Sequence, residues 1–281
     1  MLILIEKNKL LHGKHGRSFL ADVFLPESAG EIPFVIFAHG FKGFKDWGVF
    51  DLVASQFAAS GFGFIKFNFA FNGTTLENPL DFDDLDAFGN NNFTHELDDL
   101  EVAIDFLISN AEAYRVDINR IYLAGHSRGG GIVILKAAED SRVKGITSWA
   151  AVAGFARHIT VQDIRYWRQA GVFYVENSRT GQQMPLYPQL YENYYRNRYR
   201  LNILKAAERL KVPFLIIHGD EDETVPVDHA IELNRAAPDS KLILLNKANH
   251  SFGAVHPYLS AELPHDFSSV VTHTISFFRA L

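Results

Sequence analysis

The sequence predicts an α/β protein built on a mainly parallel sheet with helices on both faces. Three observations lead there. Short, wholly apolar runs at 34–38, 121–124 and 214–217 have the length of strands and lack any polar alternation, as strands covered on both faces do. Between such runs lie longer stretches whose apolar residues recur at helical spacing, so strand and helix alternate along the chain. The 281 residues, 47% hydrophobic and 21% charged, suffice for one large domain, taken here as 1–281.

In chain order, residues 2–8 and 18–25 read as an N-terminal hairpin. Phe19, Ala21, Val23 and Leu25 alternate with more polar neighbours, the pattern of an edge or antiparallel strand. A turn at 27–31 leads to the strand at 34–38, which runs into His39-Gly40-Phe41-Lys42-Gly43. A helix is predicted over 47–60, with Val49, Leu52, Val53, Phe57 and Ala58 on its inner face and Gly61 as its stop. The next strand is 63–69. Residues 72–92 then form a long polar segment carrying Glu77, Asp81, Asp83, Asp84 and Asp86 but no Lys or Arg; it is either a solvated loop or part of a binding site. The helix at 95–109 has Glu96, Asp98 and Asp99 in its first turns, where negative charge meets the positive end of the dipole.

Beyond it come the strand at 121–124, a helix from about 132 and a strand at 144–153. Strands at 214–217 and 241–245 follow, with a helix at 228–236 between them, and a last helix covers 266–280. These make eight strands, joined by right-handed crossovers where they run parallel. One stretch interrupts the alternation. Residues 155–205 hold seven of the ten Tyr and seven Arg, with Asp163, Glu176 and Glu192 as the acids. The segment lies between two sheet strands and is too long for one crossover, so it is predicted as an inserted, mostly helical cap over the site.

Composition narrows the functional classes. A net charge of −6 argues against nucleic acid as a partner. With no cysteine there is no disulfide, thiolate metal site or cysteine nucleophile. The N-terminus is apolar for five residues, short of a signal peptide, and no run reaches the ~18 apolar residues of a membrane helix. The expectation is a soluble cytoplasmic protein with no membrane partner. His39, His126 and His250 invite thought of a metal, but no zinc-site spacing accompanies them, so neither metal nor cofactor is expected.

The chemistry centres on Gly125-His126-Ser127-Arg128-Gly129, a G-x-S-x-G between a strand and a helix. So tight a turn strains the serine backbone and projects its hydroxyl clear of the sheet, while glycines let strand and helix approach. A serine needs a base to take its proton and a third group to hold that base. His250, five residues past the strand at 241–245, fits the base better than His256, which precedes a proline, or His265, which starts the last helix. The orienting acid belongs after the preceding strand, where Asp220, Glu221, Asp222 and Glu223 all stand. The N–H groups of Arg128 and of Phe41 are the candidates for an oxyanion hole.

Taken together, the His-Gly-Phe turn, Gly-His-Ser-Arg-Gly-Gly, His-Gly-Asp-Glu-Asp-Glu-Thr-Val-Pro and Asn-His-Ser-Phe resemble the motifs of the α/β-hydrolase superfamily, in order and over nearly the whole chain. They are similar to those of dienelactone-hydrolase-like and cinnamoyl-esterase-like members and of prolyl-oligopeptidase-type catalytic domains. The resemblance implies Asp222 as the acid, and a serine hydrolase that cleaves a small-molecule ester through an acyl-enzyme without a cofactor. A carboxylesterase for small or aromatic acyl groups is the leading reading. An aminopeptidase or acyl-peptidase is the second and a non-catalytic binding protein the third; a homodimer is compatible with all three. The Arg128 side chain departs from many relatives and is expected to form an ion pair, with the acidic loop at 81–86 or with an acidic substrate group. In the cap, Arg165, Arg168, Arg196 and Arg198 are the candidates for recognising a carboxylate-bearing substrate.

Overall fold

The computed structural model describes residues 3–28, 30–155 and 160–281; residue 2 of the first predicted strand, residue 29 of the predicted turn and residues 156–159 of the predicted cap lie outside them. The sheet begins with β1 (Ile3–His12), β2 (Ser18–Pro26), β3 (Ile32–Ala38), helix α1 (Phe50–Ala59) and β4 (Gly63–Phe67). Next come α2 (Leu85–Gly89), α3 (Phe93–Ser109), α4 (Ala111–Tyr114), β5 (Val116–His126), α5 (Arg128–Glu139) and β6 (Gly145–Trp149). The cap contributes α6 (Val161–Ala170), β7 (Phe173–Asn177), β8 (Gln182–Leu186) and α7 (Gln189–Arg196). The chain then returns through α8 (Ile203–Glu208), β9 (Phe214–Gly219), α9 (Asp228–Ala236), β10 (Ser240–Leu245) and α10 (His265–Arg279). Strand order in the eight-stranded sheet is β1-β2-β4-β3-β5-β6-β9-β10. β2 pairs antiparallel with both β1 and β4, and the rest of the sheet is parallel.

Alternate residues of each central strand enter different cores. Phe34, Ile36, Ile121, Leu123, Phe214 and Ile216 face the layer of α3, α5, α8 and α9, packing with Leu97, Leu100, Ile104 and Ile132. Val35, Phe37, Tyr122, Ala124, Leu215 and Ile217 face α1 and α10, against Val53, Phe57, Val271 and Phe278. Burial on both faces is why these strands read as continuous apolar runs. No helix among the described residues is long and apolar enough to cross a membrane.

Four local differences from the sequence reading have physical causes. β2 is antiparallel to both neighbours, one of the two alternatives its alternation allowed, but it is an inner strand and not an edge, so even Asp22 is fully buried, where it meets Lys45 and Lys66 at 2.9 and 2.8 Å. Helix α1 starts three residues late because Gly48 takes a left-handed φ of +56°. The acidic segment is packed as well as solvated: Phe82 and Phe88 are buried with Phe44 and Met184, and Asp84 caps α2 by accepting the Ala87 N–H. The cap carries an antiparallel hairpin, β7–β8, between its helices; β7 is mostly exposed, which erased the alternation that would have marked it.

Candidate active site

The elements converge on Ser127 at the carboxyl ends of the parallel strands. Ser127 sits between β5 and α5 with φ +55° and ψ −119°, a conformation that an L-residue adopts only under strain. Its neighbours permit it. A Cβ on Gly125 would lie 2.4 Å from the Gly129 carbonyl oxygen, and one on Gly129 would lie 2.2 Å from that of Ala38. Only hydrogen fits at either position.

Around the hydroxyl stands a hydrogen-bonded series. Ser127 Oγ lies 3.0 Å from His250 Nε2, and His250 Nδ1 lies 2.8 Å from Asp222 Oδ2. A carboxylate only accepts, so Nδ1 carries the proton and Nε2 is left to receive one from the serine. Asp222 follows β9 as a buried residue. Its Oδ1 accepts the backbone N–H groups of Thr224 and Val225 at 2.9 and 2.8 Å. Burial pushes its pKa up, but hydrogen bonds from His218 and His250, the nearby His250 charge and the Val225 N–H outweigh it and hold the carboxyl well below the usual range. Asp220, the rival acid, is exposed and accepts the Lys247 N–H at 2.6 Å. His256 lies apart from the series: it accepts the Gly48 N–H at 2.9 Å and packs against Phe44 and Trp47. His265 is exposed at the start of α10.

Two further histidines support the arrangement. His126 Nε2–H donates to the His250 carbonyl at 2.9 Å, and the rings lie 4.8 Å apart. Burial, reinforced by His250, pushes the His126 pKa down to about 3, so the ring acts as a neutral donor. His218 Nε2–H is shared between the Val225 carbonyl at 2.8 Å and Asp222 at 3.2 Å. Their signal in the sequence is only their place inside the motifs.

The turn after β3 carries Phe41 beside Ser127 in the same cavity. This turn is anchored from below. Lys45 and Lys66, both buried, bind Asp22 and Asp46, and Lys66 also reaches Asp51 at 2.7 Å and the Lys45 carbonyl at 3.0 Å. The three aspartates lie close enough together to share a cation, and here the Lys66 and Lys7 ammoniums each meet all three. Arg128 opens α5, so its backbone N–H has no carbonyl four residues back within the helix.

Arg128's side chain pairs with Glu96 of α3 at 3.3 Å, not with the acidic loop at 81–86. That loop is matched instead by Arg17 on Asp84 and Arg179 on Asp81. The guanidinium also stacks on Phe41 and Phe93, 4.0 and 5.2 Å from their ring centroids. Of the four cap arginines singled out above, none lines either cavity. Arg168 and Arg196 face Glu192 at 3.4 and 3.6 Å, Arg198 stacks on Tyr195 and Tyr199, and Arg165 is exposed.

The cavity at Ser127 holds about 1000 Å³ and extends under the cap to Asn177 and Arg179. A second space of about 350 Å³ adjoins it, sharing Phe41, Phe93, Arg128 and Phe155 and walled by Trp167 and Tyr191. Nothing in the sequence distinguished these cap residues from the other aromatics around them.

Comparison with known proteins agrees with this architecture. The BD-FAE family matches residues 21–236, well over half of the chain. Quorum-quenching protein AidA of Acinetobacter baumannii (strain MDR-ZJ06) is 25% identical over 153 residues, which is 54% of this chain and 46% of that protein. The uncharacterized peptidase YuxL of Bacillus subtilis (strain 168) is 22% identical over 171 residues, 58% of this chain and 23% of that one. The chain thus spans less than half the length of these curated relatives. Among solved structures, Est1E from Butyrivibrio proteoclasticus with ferulic acid bound superposes with a TM-score of 0.73 at 18% identity, covering 97% of this chain and 98% of that one. With its eight-stranded sheet, its serine turn and this family match, the chain is an α/β-hydrolase belonging to the BD-FAE family.

Proposed function

We propose that the protein is a serine carboxylesterase acting on small or aromatic acyl esters. The observation that carries this reading is the series Ser127–His250–Asp222, with links of 3.0 and 2.8 Å, opening into a cavity of about 1000 Å³. In the proposed mechanism His250 Nε2 takes the hydroxyl proton as Ser127 Oγ attacks the ester carbonyl. Asp222 stabilises the imidazolium that forms, and the N–H groups of Arg128 and Phe41 receive the oxyanion. His250 then protonates the departing alcohol, the acyl group remains on Oγ, and water activated by the same base releases the acid. The aromatic space beside Phe93 and Trp167 suits a flat or apolar acyl group. Est1E, the structural neighbour solved with ferulic acid, points the same way.

The peptidase reading, suggested by YuxL, calls for an acid to receive a substrate amine. Among the described residues no carboxylate lines the cavity at Ser127; in the 77–86 loop Asp81 meets Arg179, Asp83 Asn78, Asp84 Arg17 and Asp86 Tyr187, while Glu77 is exposed and outside that lining. This favours the ester.

Turnover of p-nitrophenyl acetate, butyrate and octanoate is to be measured beside an aminoacyl p-nitroanilide, for the native protein and Ser127→Ala. Ester cleavage lost in the mutant, with the anilide untouched, is the expected result. Anilide cleavage would favour the peptidase, and no turnover together with no fluorophosphonate labelling would favour a binding protein.

A further inference from the structure

Although the chain carries a net charge of −6, among the described residues the cavity at Ser127 is lined by Lys42, Arg179 and the Glu96-paired Arg128 and by no carboxylate. Lys42 extends from the Phe41 turn to the cap, where its ammonium donates to the Glu176 carbonyl at 2.9 Å. It makes no ion pair among the described residues, and burial pulls its pKa down against the opposing pull of the Glu176 charge. One residue further along, Asn177 is 7% exposed, and its Nδ2 has no hydrogen-bond partner among the described residues, although its Oδ1 accepts the Arg179 N–H. An unsatisfied buried donor is destabilising, and an acceptor that reached it would offset that cost. Arg179 spends one N–H on Asp81, which lies outside the cavity, and a guanidinium has five to offer. The acid in the adjoining aromatic space, Asp163, is held by the Thr160 N–H and hydroxyl.

We propose that Lys42, Asn177 Nδ2 and Arg179 form an anion-binding subsite in the catalytic cavity, so that the substrate is an ester bearing a carboxylate or phosphate group. Lys42 of the Phe41 turn and Asn177 and Arg179 of the β7–β8 hairpin line the same cavity, and the acid that meets Arg179, Asp81, stands outside that lining. The anion also couples the cap to the body of the protein, because Lys42 belongs to one and Asn177 and Arg179 to the other. The basic character of the cap thus acts through the hairpin tip rather than through its helical arginines.

The inference rests on the esterase reading for its substrate, so it is tested by both turnover and binding. Three aryl acetates of similar shape serve as probes: 4-acetoxybenzoate, 4-acetoxyphenyl phosphate and the neutral 4-acetoxybenzamide. In the native protein kcat/KM for at least one anion should exceed that of the amide by about tenfold, the effect of a charge-assisted contact. Whichever anion leads identifies the group. In Lys42→Met/Arg179→Gln this ratio should fall toward one, chiefly through KM. In parallel, binding of 4-hydroxybenzoate and 4-hydroxyphenyl phosphate to Ser127→Ala is measured by calorimetry, with and without the same two substitutions. Ester turnover with equal ratios in both proteins overturns the subsite and leaves the esterase standing. Anion binding that the double substitution abolishes, with no turnover of any ester, upholds the subsite and overturns the esterase. A ratio that falls no further in the double variant than in Arg165→Gln also overturns the proposal.

Discussion

Replacing Asp222 with Asn puts the catalytic reading under the sharpest strain, because it changes one atom and one charge. The carboxylate accepts four hydrogen bonds: Thr224 and Val225 N–H at 2.9 and 2.8 Å on Oδ1, and His250 and His218 at 2.8 and 3.2 Å on Oδ2. An amide has a single acceptor oxygen. The backbone donors cannot turn, so that oxygen stays with Thr224 and Val225 and the NH₂ faces the two imidazoles. His250 must then surrender its Nδ1 proton and present Nε2–H to Ser127, which leaves the hydroxyl without a base. In a Ser-His-Asp triad the wrong tautomer is worth about 10⁴ in kcat, or about 5.4 kcal/mol at about 1.36 kcal/mol per tenfold. Initial rates on p-nitrophenyl butyrate give the measurement, with thermal unfolding as the check on folding. Asp220→Asn, which alters only a cap on the Lys247 N–H, should keep nearly full activity. A folded Asp222→Asn retaining more than a tenth of the native rate, or an equal loss in Asp220→Asn, would refute the assignment.

Other consequences follow from buried charge and close packing. Burial pushes the Asp99 carboxyl up to about 8, so the folded chain keeps it protonated while the unfolded chain ionises near pH 3.9. The cost to stability therefore grows as pH rises from about 4 to 8, and Asp99→Asn should raise Tm at pH 7.5 and barely at pH 4.5. Equal shifts at both pH values would contradict it. Burial lowers His39 and His126 to about 4 and about 3, against about 6.5 unfolded. Stability is complete above pH 6.5 and should fall on acidification, by about 1.4 kcal/mol per pH unit for each ring, in urea titrations between pH 6 and 4.5. A flat profile would mean the rings are charged in the fold. Gly129→Ala sets a methyl 2.2 Å from the Ala38 carbonyl and 2.5 Å from that of His39; it should lower Tm by about 5–10 °C and remove ester turnover. A mutant as stable and active as the native protein would show that the turn has more room than this.

What the sequence by itself determined is whatever short-range chemistry dictates. The central strands were legible because burial on both faces leaves no polar alternation, and α3 because its dipole end is acidic and its inner stripe apolar. The serine turn announced itself because Gly125 and Gly129 cannot carry a Cβ where strand meets helix. Tertiary structure decided the choices that depend on residues far apart in the chain. Asp220 and Asp222 are equivalent in composition; the fold buries one beneath His250 and leaves the other in solvent. Arg128 had a whole acidic loop to choose from and met Glu96, because α3 packs against α5 there. The cap's arginines and tyrosines told of a basic aromatic surface but not which side chains face inward. That depended on the β7–β8 hairpin, which presents Asn177 and Arg179 to the cavity and leaves Arg165, Arg168, Arg196 and Arg198 outside. Local pattern specifies elements because neighbours along the chain are always neighbours in space; a site is assembled from groups that only the folded chain brings together.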